Sequence, residues 1–260
     1  MGSTDDTRGD EQVARWLEDL ESRHLADLRF SEVSRALRAL SSAYVERRDR
    51  LGHGAALDGA GKRAAFALFY GPLHFLTIQR VVRALGAAEP ALGNVVDLGC
   101  GTGVAGAAWA LECVPCATVT GVDLHPWAVE ESRRTFAALG LNGSARRGDV
   151  AAVTPPSSVG GIVAAFTLNE LTAERRSAVL GRLLHRASGG TRVLVVEPIA
   201  KRMSPWWDEA SRLFLQAGGR DDEWRFAVAL PPLVKRLDRA AGLRHAELTA
   251  RSLYLAGIRR

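Results

Sequence analysis

The amino-acid sequence predicts an α/β fold: a doubly wound, mostly parallel seven-stranded sheet of the Rossmann-like type, preceded by an N-terminal helical cap. From residue 94 onward, short apolar runs rich in β-branched residues alternate with helical stretches. Such runs indicate parallel strands that are covered by helices on both faces. Over the first ninety residues the apolar side chains recur instead at helical spacing. We therefore expect a helical cap over residues 1–90 and a sheet domain over residues 91–260.

Three amphipathic helices are predicted in the cap. Their apolar faces are Val13, Trp16, Leu17 and Leu20 in the first helix, Val33, Leu37, Leu40 and Tyr44 in the second, and Ile78, Val81, Val82 and Leu85 in the third. Ser31 is a candidate N-cap of the second helix, and Gly86 ends the third. Gly71 and Pro72 interrupt the pattern in FYGPLHF, which predicts a turn.

The sheet domain begins with four apolar strands, VVDL, ATVTGVD, IVAAFTL and RVLVVEP. Its tail is predicted to contain a helix (LVKRLDRAAG) and then two strands (RHAELT and SLYLAGI) that pair like a hairpin. Residues 200–230 lie between the fourth strand and that helix and are interpreted as an insertion.

Composition excludes several classes of protein. Of the 260 residues 47% are hydrophobic and 24% charged, no apolar run reaches eighteen residues, and the N-terminus is polar. The sequence therefore predicts a cytoplasmic protein without a signal peptide or membrane span. Cys113 and Cys116 form a CxxC motif that lacks a second ligand pair, so packing is the preferred interpretation and no metal is predicted. The net charge of +5 permits a nucleic-acid partner without requiring one, and no oligomeric state is indicated.

The segment from Asp97 to Gly103 follows the first strand and precedes a helix. Glycines there allow a ligand to approach the backbone, and the helix N-terminus adds partial positive charge. A loop at the carboxyl end of a parallel strand is a typical cofactor site in doubly wound sheets. Gly101, Gly103 and Gly106 also satisfy the dinucleotide pattern GxGxxG, so the cofactor has to be decided by other residues.

Three carboxylates favour S-adenosylmethionine (SAM) over a dinucleotide. Asp97 is placed to meet an ammonium group, whereas it would repel a pyrophosphate. Asp123 ends the second strand, twenty residues after Gly103, where it can accept hydrogen bonds from ribose hydroxyls. Asp149, with Val150 beside it, follows the segment ARRG and can accept a hydrogen bond from an adenine amino group.

The strings VVDLGCGTG, GVDLHP and RRGDV resemble motifs I, II and III of class I SAM-dependent methyltransferases, and the resemblance covers roughly residues 91–260. It implies that the methionine part of SAM is surrounded by Asp97, Gly99, Gly101 and Gly103. It also implies that Asp123 holds the ribose and that Leu124 and Val150 flank the adenine. The acceptor is not specified by these motifs.

Candidate acceptor-binding residues follow the IVAAFTL strand. Asn169 and Glu170 are placed to touch an acceptor, and Phe166 is a candidate cofactor contact. The Asn/Asp-Pro-Pro-aromatic signature is absent, which counts against adenine N6 and glutamine as acceptors. Glu170 as a helix cap is an equal alternative. Tyr70 and His74 form a second catalytic candidate pair, for which packing is the alternative.

Three functions are compatible with these features. Trp206, Trp207 and Trp224 in the predicted insertion suggest either a lid over a small metabolite or the core of that insertion. The front segment RFSEVSRALRALSSAYVERR and the string FTLNEL also resemble the mitochondrial-type ribosomal small-subunit methyltransferase family. That resemblance implies methylation of ribosomal RNA, or a non-catalytic SAM-binding assembly factor.

Overall fold

The computed structural model describes residues 4–46, 57–156, 158–200 and 203–257. The chain forms two compact units, one made of Met1–His74 and Ala227–Glu247, the other of Phe75–Phe226 and Leu248–Arg260. The predicted division into a cap and a sheet domain between residues 90 and 91 stays a prediction. Within the described residues, no helix is both long and apolar enough to cross a membrane.

The first unit is helical. Its helices are α1 (Thr4–His24), α2 (Phe30–Glu46), α3 (Ala60–Ala65), the start of α4 (Gly71–Leu85) and, far along the chain, α9 (Pro232–Ala240). The predicted apolar faces of α1 and α2 are buried at Trp16, Leu20, Val33, Leu37 and Leu40. The side chain of Tyr44 lies outside the described ones. Helix α2 begins before the predicted cap Ser31, because the Glu32 carboxylate accepts the Arg29 N–H at 2.8 Å.

The predicted turn at Gly71–Pro72 is wrong. Helix α3 continues through a π-helical turn, Phe66–Tyr70, directly into α4. Gly71 has helical backbone angles (φ −51°, ψ −62°), and its N–H donates to the Phe66 carbonyl five residues back. Pro72 has no N–H to donate and would interrupt a regular helix. Here the wider π turn just before it changes the hydrogen-bond spacing, so the helix continues through Pro72.

The second unit contains the predicted sheet. Its strands are β1 (Asn94–Leu98), β2 (Thr118–Asp123), β3 (Gly143–Arg147), β4 (Gly161–Ala165), β5 (Arg192–Glu197), β6 (Arg220–Ala227) and β7 (Glu247–Leu255). The order is β3-β2-β1-β4-β5-β7-β6; the first five strands pair in parallel, and β7 is antiparallel to β5. The helices between them are α5 (Val104–Glu112), α6 (Pro126–Ala138), α7 (Ala173–Ser188) and α8 (Trp207–Gln216). The predicted fold class is confirmed, and the strand order reverses between β1 and β4, where such sheets bind ligands.

The predicted pair of C-terminal strands is wrong. The tail forms the single strand β7, and its neighbour β6 comes from the segment predicted to be an insertion. Arg251, which falls between the two predicted strands, and Ser252, which begins the second of them, are buried with partners. Arg251 lies opposite Glu197 on β5 with its guanidinium over the Trp207 ring, and Ser252 accepts a hydrogen bond from the Trp224 indole at 2.8 Å.

Candidate functional site

The glycine loop between β1 and α5 has a backbone that only glycine adopts easily. Gly99, Gly101 and Gly103 have φ of 70°, 52° and 79°. A Cβ at Gly99 would lie 2.3 Å from Cγ2 of Thr167, so the Thr167 side chain already fills the space that a larger residue would need. The Thr167 hydroxyl donates to the Gly99 carbonyl at 3.1 Å. The loop is thereby held against the chain that leaves β4.

Asp97 is 1% exposed at the end of β1. Its Oδ2 accepts the Gly106 N–H at 2.8 Å, which fixes the first turn of α5. Burial raises the pKa of Asp97 to about 7; the Gly106 hydrogen bond opposes this shift and the charge of Asp123 adds to it. The contact with an ammonium group stays a prediction for this carboxyl.

The Asp123 carboxylate ends β2 beside the glycine loop. Its Oδ2 accepts the Gly101 N–H at 2.9 Å, and its Oδ1 accepts the His125 N–H at 2.8 Å. Burial raises the pKa of Asp123, while these two N–H donors lower it. A carboxylate has about four acceptor positions, so about two remain for other donors. Leu124, the next residue, is 40% exposed. A diol attached to an apolar ring suits this arrangement.

Asp149 follows β3 by two residues. Its Oδ1 accepts the Ala151 N–H at 2.9 Å and also a hydrogen bond from Arg175 in the first turn of α7. The neighbouring Val150 side chain is buried in the core of the second unit. The loop after β3 is thus tied to α7, and the predicted adenine contacts of both residues stay predictions.

Phe166 marks the end of β4 with an unusual backbone. Its φ is 57°, a left-handed conformation that is costly for a residue other than glycine, and its N–H donates to the Val196 carbonyl at 2.8 Å. The chain then enters a 3₁₀ turn, Leu168–Glu170. The strained residue redirects the chain so that the turn carries Asn169 across the end of β5.

Asn169 is held from both sides. Its backbone N–H and its side-chain NH₂ donate to the two carboxylate oxygens of Glu197 at 3.1 and 2.6 Å. Its Oδ1 accepts the indole N–H of Trp206 at 2.8 Å. Glu197, at the end of β5, is completely buried. Because the amide orientation is fixed, Asn169 presents a defined polar surface.

Arg176 lies over the ring of Trp206, the residue that bonds Asn169. Its guanidinium lies 5.1 Å from the centre of the Trp206 ring, and Nη1 donates to the Leu171 carbonyl at 2.8 Å. Burial lowers the pKa of Arg176, whereas the negative charge of Glu197 raises it. The buried carboxylate therefore has a cation nearby. Glu170, in contrast, is exposed.

The three tryptophans of the predicted insertion have different surroundings. Trp207 is 3% exposed and belongs to the core, with its indole N–H 3.1 Å from an oxygen of Asp221. Trp224 stacks on Phe226 at 5.6 Å. Only Trp206 lies beside the candidate turn, so packing accounts for the other two. Lys201 and Arg202 of the same segment lie outside the described residues.

Tyr70 and His74 belong to an aromatic cluster in the first unit. The ring centres of this pair are 5.9 Å apart, and Phe66 and Phe69 contact them. Burial raises the pKa of Tyr70 to about 12, with the Ser41 hydrogen bond opposing, and lowers that of His74 to about 3. Both groups are neutral near pH 7, and their predicted part in the reaction stays a prediction.

Cys100 in the glycine loop is buried, with its sulfur 3.2 Å from the Ser132 hydroxyl. Burial raises the pKa of this thiol well above its usual value. Cys113 is buried and Cys116 exposed, and neither is in a disulfide.

Sequence reasoning missed Thr167, Arg175 and Arg176. A signal for the two arginines was present: they follow Thr172, the N-cap of α7, where the helix dipole disfavours cations. Basic residues in a first turn indicate partners outside the helix, here Asp149 and the Trp206 ring. The Thr167 contact depends on how closely two loops approach, for which the sequence gives no sign.

Comparison with known proteins supports the interpretation of the loop. Residues 95–188 match a family model described as a methyltransferase domain. Ribosomal RNA small subunit methyltransferase C of Actinobacillus pleuropneumoniae is 39% identical over 72 residues, 28% of this chain and 22% of that protein. The protein of the same name from Chromohalobacter salexigens is 47% identical over 62 residues, 24% and 18% of the two chains. The chain thus spans about a fifth of the length of these curated relatives.

A solved structure has a similar fold. A crystal structure described as a putative O-methyltransferase from Nostoc punctiforme superimposes with a TM-score of 0.54 at 14% identity, covering 86% of this chain and 69% of the other. Residues 95–188 are thus a methyltransferase domain, and together with the glycine loop and the seven-stranded sheet this match supports the class I SAM-dependent methyltransferase superfamily, with SAM as the cofactor.

Proposed function

We propose that the protein transfers the methyl group of SAM to an acceptor bound at the turn Leu168–Glu170. The observation that carries this proposal is the fixed amide of Asn169, held by Glu197 and Trp206 at the carboxyl ends of β4 and β5. The same turn is joined to the glycine loop through Thr167. A cofactor in the loop and an acceptor at the turn would therefore be neighbours.

The residues of the loop fit SAM. The positive φ angles of Gly99, Gly101 and Gly103 give the loop its tight curvature, and the missing side chain of Gly99 lets Thr167 pack against it. The Thr102 hydroxyl is buried without a hydrogen-bond partner among the described residues and offers a donor to a carboxylate. Asp123 would hold the ribose hydroxyls and Leu124 the adenine face, with Phe166, Asp149 and Val150 as further contacts.

SAM supplies a methyl group on a positively charged sulfur, and transfer needs the acceptor in line with that bond. The task of this chain's residues is to orient the acceptor and exclude water. Asn169 offers an amide of fixed orientation, and exposed Glu170 is the group nearest in sequence that can take a proton.

A small, partly aromatic metabolite is the proposed acceptor. Trp206 supplies a ring beside Asn169, and its stacking on Arg176 keeps that ring in place. The cation beside this ring, Arg176, already donates to the Leu171 carbonyl at 2.8 Å and lies near the negative charge of Glu197. A phosphate group would therefore find its charge partly matched already.

Ribosomal RNA is the second candidate acceptor. Both curated relatives described above are ribosomal RNA small subunit methyltransferases, although they match only short segments. Transfer of radiolabelled methyl from SAM, assayed separately with small-metabolite and RNA fractions, tests both candidates. Labelled RNA, with binding that weakens steeply as salt increases, would refute the metabolite proposal. A labelled small product and unlabelled RNA would support it.

A further inference from the structure

A basic cavity of about 360 Å³, here named the α9 cavity, lies within the first unit. It is bounded by residues 228–230, by Lys235, Asp238 and Arg239 of α9, and by residues 243–246. It lies outside the glycine loop and the Asn169 turn, and nothing in the proposed methyl transfer uses its residues.

The charges around the α9 cavity are unbalanced. Lys235, Arg239 and Arg244 are exposed, and within the described part of the chain their side chains make neither a hydrogen bond nor an ion pair. The lining carboxylate, Asp238, is 4% exposed and already occupied: its two oxygens lie 2.6 Å from Nδ1 and 3.2 Å from the backbone nitrogen of His245. Three cations therefore line the cavity against one carboxylate, which is already hydrogen-bonded to His245.

The frame of the cavity is fixed by contacts within the first unit. The His245 ring lies edge-on against Phe69, 5.7 Å between ring centres, as well as against Asp238. The Leu243 N–H donates to the Asp238 carbonyl at 2.9 Å. Val228 N–H donates to the Ala246 carbonyl at 3.3 Å, which joins the two flanking loops. The cations therefore project from a constrained loop pair and helix.

We propose that the α9 cavity binds a phosphate group, from either a free phosphorylated compound or the phosphodiester backbone of an RNA strand. Two guanidinium forks and an ammonium group match the charge and the several acceptor oxygens of a phosphate. A single carboxylate ligand would leave most of the three positive charges unmatched. The inference does not depend on which acceptor is methylated.

The test compares Arg239→Gln with Arg236→Gln. Both replace an arginine of α9 and remove one charge, but Arg236 lies over the Phe30 ring at 4.8 Å and 3.9 Å from Glu21 instead of lining the cavity. The double variant Arg239→Gln/Arg244→Gln enlarges the effect. The probes are inorganic pyrophosphate, measured by calorimetry, and a fluorescent single-stranded RNA oligonucleotide, measured by anisotropy over a range of salt. Circular dichroism and SAM binding, expected to be unchanged, separate this inference from the proposed function.

We expect Arg239→Gln to weaken binding of at least one probe about tenfold, the size of one charge-assisted contact, and Arg236→Gln to have little effect. If the RNA backbone is the ligand, the plot of log K against log salt becomes shallower in the double variant, its slope changing by about 1.4 in magnitude. Pyrophosphate then also competes with RNA for the native protein. If a free phosphorylated compound is the ligand, the double variant loses pyrophosphate binding, while its RNA binding equals that of the native protein. Equal binding of both probes by the native protein and the double variant, or an equal loss in Arg236→Gln, overturns the inference.

Discussion

The Asn169 amide and the Glu197 carboxylate form a two-point hydrogen-bonded pair across the ends of β4 and β5, with distances of 2.6 and 3.1 Å. The pair joins the turn that follows the strained Phe166 to a completely buried carboxylate. Both hydrogen atoms come from Asn169, so Glu197 has to accept at both oxygens. A change that removes one acceptor should therefore loosen the turn.

We expect Glu197→Gln to lower methyl transfer by about 10²-fold, because its amide NH₂ would face an Asn169 donor and displace the turn. The free energy of unfolding should fall by about 1–3 kcal/mol for the unsatisfied group. Steady-state kinetics and denaturant unfolding measure the two effects. Glu223→Gln is the control, because that exposed carboxylate lies 3.6 Å from Arg251 and should matter little. A parallel loss of SAM affinity would place Glu197 with the cofactor site instead.

Gly99→Ala should abolish tight SAM binding. The backbone strain at φ 70° costs about 1–2 kcal/mol, and crowding against Thr167 adds about 1–3 kcal/mol. Gly86→Ala is the matched control, since Gly86 has φ 61° but open space at its Cβ position. In the control, thermal unfolding should show only the cost of the backbone strain, and calorimetry should show unchanged SAM binding. Adding Thr167→Ala to Gly99→Ala should restore part of the stability; no restoration would mean that the contact is not the cause.

Asp123→Ala should weaken SAM binding, since a carboxylate that accepts from ribose contributes about 1.5–3 kcal/mol for each charge-assisted hydrogen bond. The variant also removes the acceptor of the Gly101 N–H, so the loop loses support. Asp208→Asn, at an exposed position in α8, is the control. Unchanged SAM affinity in Asp123→Ala would refute the ribose role. Tighter binding of NAD than of SAM by the native protein would contradict the cofactor assignment.

Asp97 should give the protein a stability that decreases as pH rises. Its folded-state pKa is about 7, above the ordinary 3.8, so the folded chain holds the proton more tightly between these values. The free energy of unfolding should therefore fall by up to about 1.4 kcal/mol per pH unit in this window and level off above it. Denaturant unfolding of native protein and Asp97→Asn at several pH values measures the difference.

His74 contributes with the opposite sign, because burial lowers its folded-state pKa to about 3. Its stabilisation is present above its ordinary pKa and is lost as pH falls towards that lower value. Subtracting the Asp97→Asn curve from the native curve cancels this contribution. A difference that does not change with pH would show that Asp97 is already ionised below neutral pH.

The parallel strands and the glycine loop could be predicted because they depend on local patterns. Apolar runs define β1, β2, β4 and β5, and Asp123 is found at the end of β2 as expected. The continuous helix at Gly71 could not be predicted, since a π turn before a proline leaves no local mark. The prediction divided strand β7 at Ala250 and Arg251, and the burial of Arg251 depends on distant partners, Glu197 on β5 and the Trp207 ring.

The candidate site was predicted in its parts, but not in its connections. Asn169 was placed at the end of β4 from the sequence, whereas its bonds to Glu197 and Trp206 join positions 28 and 37 residues away. The aromatic segment around Trp206 was recognised by composition. Composition does not reveal which ring faces the core; Trp207 does so because it lies on the buried face of α8, together with Ala210 and Phe214.

Trp206 and Trp207 should separate a role at the acceptor from a role in the core. Trp206→Phe keeps a ring for Arg176 but removes the N–H that holds Asn169 Oδ1. We expect it to raise KM for the acceptor or lower kcat, with SAM affinity unchanged and a stability loss of about 1 kcal/mol.

Trp207→Phe is the matched control, because the same change in a core side chain that is 3% exposed should act on stability. It removes the hydrogen bond to Asp221 and leaves space in the core, which predicts a loss of about 1–3 kcal/mol and proportionate activity of the folded fraction. Kinetics with the acceptor found in the methyl-transfer assay and thermal unfolding of both variants measure the two effects. If Trp206→Phe behaves like Trp207→Phe, with lower stability and native kinetics, Trp206 is a packing residue. The metabolite proposal then loses its aromatic contact, and RNA becomes the better candidate acceptor.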